Sequence, residues 1–148
     1  MARNVVLIAE DDPALREQIE DMMPGGKFET VAVTDGMAAL KAIKSEREHL
    51  RLLVLKFELP KVPGWQVLRQ VQSHPHLREI PALLTVQAQD PILSKLPEPF
   101  EYFEVITYPW DRKQFQRAIK QAIAKAKQPR PSTGRGPRRG GGGGRPGR

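Results

Sequence analysis

Residues 52–68 read LLVLKFELPKVPGWQVL, and their order decides the fold. Leu52–Leu55 is wholly apolar and of strand length, and Pro60 to Gly64 is a turn-rich loop. Trp65, Leu68 and Val71 then recur at helical spacing, and the helix must stop before Pro75. A strand without polar alternation is buried on both faces, and the helix that follows it covers one of them. The same unit recurs on either side. Toward the amino terminus, Val5–Ala9 is a continuous apolar run, and Asp12 precedes Pro13 as an N-cap followed by proline at the first helical position. Leu15, Ile19 and Met22 continue as a helical stripe up to Pro24-Gly25-Gly26. Phe28–Val33 alternates around Glu29 as a strand, and Ala39, Leu40 and Ile43 mark a helix over Gly36–Lys44. Toward the carboxyl terminus, Ile80–Val86 reads as a fourth strand and Val105–Thr107 as a short fifth. Phe115, Ile119, Ala122 and Ile123 mark the core stripe of a last helix running to about Lys127.

Strands that alternate with helices, two of them apolar throughout, predict an α/β fold with a parallel sheet covered on both faces. Right-handed crossovers follow by default. In such sheets ligands are met at the carboxyl ends of the strands, near the topological switch point. That directs attention to Glu10, Asp11 and Asp12 after the first strand, and to Lys56, Phe57 and Glu58 after the third. Thr85 ends the fourth strand, and Tyr108 and Pro109 follow the fifth.

The chain has 148 residues, of which 39% are hydrophobic and 28% charged, a globular composition for one domain of ordinary size. It has no cysteine, which excludes a disulfide framework, a thiolate metal site and a cysteine nucleophile. Three histidines, two of them flanking Pro75, give no basis for a histidine-rich metal centre. No metal or other cofactor is expected. The early apolar run is too short for a signal-peptide core or a membrane span, which predicts a soluble cytoplasmic protein. The formal net charge is +7, but residues 129–148 contain six arginines and no acid, leaving +1 for residues 1–128. Eight glycines and four prolines fill most of the rest of that tail. Such a segment cannot bury enough apolar area to offset chain entropy, so disorder is expected there. The expected organisation is a domain over 1–128 and a basic tail over 129–148.

Five segments carry a family resemblance. VVLIAEDDPALRE (5–17) resembles the start of a response-regulator receiver domain, and VTDGMAALKAI (33–43) resembles its second helix. LLVLKFELPKVPGWQVL resembles its phosphoacceptor strand and loop, IPALLT (80–85) its fourth strand, and TYPWD (107–111) its fifth. The resemblance covers roughly residues 3–126 and implies a flavodoxin-like, doubly wound five-stranded parallel sheet of order 2-1-3-4-5. It also implies a site in which three carboxylates hold Mg²⁺ and one aspartate accepts a phosphoryl group. Gly64 and Pro60 both place that acceptor position at Lys56. The acidic pair is present as Glu10 and Asp11, and the switch hydroxyl as Thr85. Val105 stands where the family has its switch aromatic, and Tyr108 where it has a lysine before the fifth-strand proline. The resemblance implies a cis bond at Pro109.

A lysine can neither form an acyl phosphate nor ligate Mg²⁺. Glu10, Asp11 and Lys56 together carry −1, so the ammonium supplies in covalent form the charge that a cation would bring. One such contact at about 4 Å is worth about 4 kcal/mol of gross attraction at an effective dielectric near 20. Simpler roles stand beside these. The acidic triplet can serve the helix dipole alone, and Lys56 can end a strand in solvent. Thr85, Tyr108, Trp65 and Trp110 fit packing roles.

Residues 87–104 depart most from the resemblance. Pro91, Pro97 and Pro99 allow a turn or two of helix between Asp90 and Leu96, with Asp90-Pro91 as its start, so a shortened or irregular fourth helix is expected. Phe100, Tyr102 and Phe103 are available to cover the remodelled face or to meet a partner. The last helix adds Arg112, Lys113, Arg117, Lys120, Lys125 and Lys127 against Asp111 alone. A basic helix running into a basic tail suits an anionic partner. The tail can equally be a solubilising extension.

These features together predict a phosphorylation-independent pseudo-receiver, a non-enzymatic protein-interaction module in bacterial two-component-type signalling that meets signalling protein partners. The alternative is a nucleic-acid-associated protein that binds RNA or single-stranded DNA through its Arg/Gly tail. An amine nucleophile at Lys56 is not expected, because the neighbouring acids keep it protonated.

Overall fold

The computed structural model describes residues 3–23, 27–96 and 101–130. Five strands, β1 (Val5–Ala9), β2 (Glu29–Val33), β3 (Leu50–Lys56), β4 (Ala82–Val86) and β5 (Glu104–Thr107), form one parallel sheet of order β2-β1-β3-β4-β5. Between and after them run α1 (Pro13–Met22), α2 (Gly36–Glu46), α3 (Gly64–Ser73), α4 (Ile92–Lys95) and α5 (Arg112–Ala126). This is the flavodoxin-like doubly wound architecture. The central strands β1 and β4 are buried at every position, whereas the edge strand β2 is largely exposed.

Side-chain alternation divides the core into two layers. Val5, Leu7 and Ala9 of β1 join Leu53 and Leu55 of β3 in one cluster with Ala39 and Ile43 of α2 and Val67, Leu68 and Val71 of α3. Val6 and Ile8 join Leu52 and Val54 in a second cluster with Ile19 of α1 and Phe115 and Ile119 of α5. The two faces of each central strand therefore both need apolar residues, which is why β1 shows no polar alternation.

Local chemistry sets the helix starts. The Asp12 carboxylate accepts from the Ala14 and Leu15 N–H groups, with Pro13 in the first turn. Asp35 caps α2 through the Ala38 N–H, and Asp111 and Gln114 make a reciprocal capping box at α5. The structure departs from expectation in three places. Ile123 is not part of the α5 core, since it is 37% exposed, and Ala118 takes the buried position. Asp90 does not start α4; its carboxylate accepts the Gln87 N–H, and α4 opens at Pro91 without a side-chain cap. Arg130, assigned by composition to the tail, is held by the domain. Its guanidinium lies 3.9 Å from the Tyr102 ring and donates to the Arg78 carbonyl and Gln72 Oε1. A stacked, hydrogen-bonded guanidinium orders a residue whose sequence neighbourhood suggests none. The expected disorder of the tail past Arg130, and Phe100, lie outside the described residues.

Two glycines shape the loop between β3 and α3. A Cβ on Gly64 would stand 1.6 Å from the Lys56 carbonyl oxygen, and one on Gly36 would stand 1.8 Å from that of Val62. The loop therefore packs backbone on backbone at both ends. Lys61, at φ 70°, makes the sharp turn between them, where the Val62 N–H donates to the Pro60 carbonyl at 2.8 Å.

Candidate functional site

Register brings the site together. Ala9 pairs with Leu55 across β1 and β3, so the next residues out, Glu10 and Lys56, face each other just past the ladder. Lys56 pairs with Thr85 of β4, and Thr85 with Ile106 of β5. Glu10, Lys56 and Thr85 thus stand abreast on three neighbouring strands, on the face that also carries Ile8, Val54 and Leu83. The Phe57 N–H donates to the Thr85 carbonyl at 2.8 Å, which ties the end of β3 to β4 beyond Lys56.

The Lys56 ammonium lies 3.0 Å from Glu10 Oε2 and 2.8 Å from Asp11 Oδ1, donating a hydrogen bond to Asp11. Glu10 is buried, its side chain only 2% exposed, while those of Lys56 and Asp11 are 20% and 40% exposed. The Asp12 N–H also donates to Glu10 Oε2 at 3.0 Å, and Arg16 donates to the Glu10 carbonyl at 3.1 Å. Asp12 itself is engaged at the α1 cap, so the acidic triplet serves both the helix and the site.

The three charges bias one another. Burial pushes the Glu10 carboxyl up from the ordinary glutamate value, only partly offset by the Asp12 N–H and Lys56. Burial works in the same direction on Asp11, but there the Lys56 ammonium wins and holds the carboxyl below its usual value. Burial works downward on Lys56, and its bonds to Asp11 and Glu10 outweigh it, so the amine is held above the usual lysine value. At these distances each contact is worth about 6 kcal/mol of gross attraction at an effective dielectric near 20, before desolvation is subtracted.

The other candidate residues separate. Thr85 is 3% exposed beside Lys56. Val105 pairs with Leu84 and packs against the opposite layer of the core, away from the ammonium. Tyr108 follows β5, donates its N–H to the Val86 carbonyl at 2.8 Å, and meets Trp110 edge-on with centroids 5.1 Å apart. The Tyr108–Pro109 peptide is cis. Trp110 in turn packs on Phe115, and Trp65 is flanked by Lys95. The Lys61–Asp35 ion pair at 3.8 Å, across the loop mouth, was not foreseen from sequence, because only the Gly36–Val62 approach brings those turns together.

Residues 6–120 match the family model of the response regulator receiver domain. This chain belongs to the receiver domain family. It is 30% identical over 87 residues to the two-component response regulator-like protein APRR9 of Arabidopsis thaliana, covering 59% of this chain but 18% of that protein. Against the response regulator Rcp1 of Synechocystis it is 26% identical over 99 residues, covering 61% of this chain and 67% of that one. The match thus spans less than a fifth of the Arabidopsis relative's length. Among solved structures, the receiver domain of sensor histidine kinase PA1611 from Pseudomonas aeruginosa PAO1 shares the fold. Its TM-score is 0.66 at 21% identity, over 83% of this chain and 99% of that one, and it carries a magnesium ion coordinated in its active site cleft.

The side chains of this receiver do not fit a divalent cation in that place. Mg²⁺ needs near-octahedral oxygen ligands at short range. Here both available carboxylates are turned onto one ammonium, and no group of three or more His, Asp or Glu side chains gathers among the described residues. A cation bound by Glu10 and Asp11 would have to displace Lys56 or share its space. No helix among the described residues is long and apolar enough to cross a membrane.

Proposed function

We propose that this receiver is a phosphorylation-independent pseudo-receiver, a non-enzymatic module that acts through protein contacts in two-component-type signalling. One observation carries the proposal: the Lys56 ammonium is within 3.0 Å of both Glu10 and Asp11, at the strand end where the family resemblance puts the phosphoacceptor aspartate. The ion pair stands in for the linkage that metal and phosphoryl group would make, and it is permanent. An amine held protonated between two carboxylates offers no acyl acceptor and no free electron pair. The domain then holds one conformation, and control over its partners lies in its abundance or in competition for its surface.

Incubation of the full chain with acetyl phosphate or phosphoramidate and Mg²⁺, followed by intact mass measurement, tests this. No added phosphoryl mass is expected, and titration with Mg²⁺ should leave the Trp65 and Trp110 fluorescence unchanged. A phosphoryl adduct mapped to the site, or a saturable Mg²⁺-dependent change in fluorescence, would overturn the proposal.

A further inference from the structure

The amino edge of the sheet, the end of β3 remote from Lys56, is not closed over. A cavity of about 670 Å³ opens there, between the starts of the strands and the last turns of α5. Its floor is built from Val6 of β1, Leu52 of β3, Ile80 just before β4 and Ile119 of α5, all buried. Phe28 and Ile123 stand on its rim, each 37% exposed. Among the described residues four large hydrophobic side chains are exposed, and two of the four share this one cavity. Apolar side chains scattered singly over a surface need no explanation, but two that border a concave apolar floor mark a binding place. The volume lies within the range of about 300–1,000 Å³ that small-molecule sites occupy.

The charges on the lining do not cancel. Arg51 and Lys127 stand against Glu79, and with His76 counted as neutral the two cations and one acid leave +1. The Arg51 guanidinium is held in place at the wall. Its Nε donates to Asn4 Oδ1 at 3.1 Å and its Nη1 to the Leu50 carbonyl at 3.2 Å, and Asn4 and Leu50 line the cavity as well. Among the described residues Nη2 of Arg51 has no partner, and neither Arg51 nor Lys127 makes an ion pair. A guanidinium already oriented by two hydrogen bonds loses little freedom on taking up an anion.

We infer that this cavity is a binding site for an apolar molecule with a single carboxylate, of the class of a medium-chain fatty acid. The alkyl chain covers the Val6, Leu52, Ile80 and Ile119 floor between Phe28 and Ile123. The carboxylate takes the free Nη2 of Arg51, on the lining that also carries Lys127. A dianion such as a phosphate monoester exceeds the net charge of the lining, and a cationic amphiphile meets an unmatched guanidinium. Lys56, Glu10 and Asp11 lie at the other end of the strands, so the inference stands or falls independently of the function proposed above.

The test is isothermal titration of the full chain with decanoate, kept below micelle-forming concentrations. Saturable one-to-one binding is expected. Decanol and decyltrimethylammonium share the chain and lack the carboxylate, and should bind about tenfold more weakly. Arg51→Gln should weaken decanoate by about tenfold and leave decanol unchanged, whereas Arg51→Lys keeps the charge and should lose less. Ile123→Glu sets a carboxylate on the rim and should weaken decanoate by about tenfold as well. Arg51 and Ile123 are exposed, so the free variants should unfold at the wild-type temperature. If one variant does not, the other, with the three amphiphiles on the wild type, still decides. Decanol bound as tightly as decanoate, decanoate affinity unaltered in the folded variants, binding to phosphatidylserine vesicles without binding of free decanoate, or no saturable binding would each overturn the inference.

Discussion

Lys56→Met removes the ammonium and keeps most of the side-chain length, so its effect isolates the charge. In the folded protein it leaves Glu10, with 2% of its side chain exposed, holding only the Asp12 N–H, with Asp11 beside it. Removing one partner of a fully buried pair costs about 3–5 kcal/mol. Asp11 is 40% exposed and Lys56 20% exposed, so solvent screens part of the loss and water can enter the vacated space. We expect about 2 kcal/mol at pH 7, which for a domain of this size corresponds to about 8 °C in Tm. The pH dependence carries the sharper signature. Burial already raises the Glu10 carboxyl, and loss of Lys56 raises it further. A group with a raised folded pKa binds more protons in the native state, so the variant regains stability as pH falls through that value. The gap between variant and wild type should therefore be widest near neutrality and should close in acid. Thermal unfolding by circular dichroism from pH 4 to pH 8 measures it. Equal Tm at pH 7, or a gap independent of pH, would show that the ammonium does not balance Glu10.

Lys56→Asp should gather three carboxylates and create a weak Mg²⁺ site, detectable by Trp65 and Trp110 fluorescence, while phosphorylating poorly because Tyr108 supplies no ammonium; silence toward Mg²⁺ would count against the placement of Glu10 and Asp11. Gly64→Ala should destabilise the domain by about 3 kcal/mol or more, since its Cβ would fall 1.6 Å from backbone oxygen, measured as a drop in the urea midpoint. In the wild type the raised Lys56 amine contributes stability fully below about pH 10.4, the ordinary lysine value, and loses it as pH rises through the higher folded value. The stability gap between wild type and Lys56→Met should accordingly shrink as pH rises above that value, and a gap that stays constant into the alkaline range would show that the charge of Lys56 does not carry it.

Lys56 and Thr85 could be placed near one another from sequence because both end apolar runs that had to be parallel strands. The contact of Lys56 with Glu10 or Asp11 was legible too, since the residues after the first and third strands meet at the switch point; that both carboxylates share the ammonium was left to register, the pairing of Ala9 with Leu55, because a slip of one residue would turn Lys56 to the other face of the sheet. Val105 shows the same point in reverse. Its position before the fifth-strand proline suggested a place in the site, and register puts it in the opposite core layer. The short α4 was legible because proline acts locally on backbone geometry, whereas the use of the Asp90 carboxylate on Gln87 was not, because a cap depends on where the chain turns.

Apolar patterning alone determined an α/β fold with a parallel sheet covered on both faces, because burial on two faces and helix capping are written in nearest neighbours, and the resemblance of five segments to a receiver domain added the family and the place of Lys56 among the acids. What only the tertiary structure decided is that Lys56 reaches both acids at once and which other charges meet. Lys56 is shared by Glu10 and Asp11, Lys125 is drawn to Glu104, and Arg130 to Tyr102 and the Arg78 carbonyl, while among the described residues Lys113, Arg117 and Lys120 on the outer face of α5 have no ion-pair partner. Those pairings span separations of 21 to 52 residues in sequence, and electrostatic attraction at 3 Å acts only between groups that strand register and helix packing have already brought side by side.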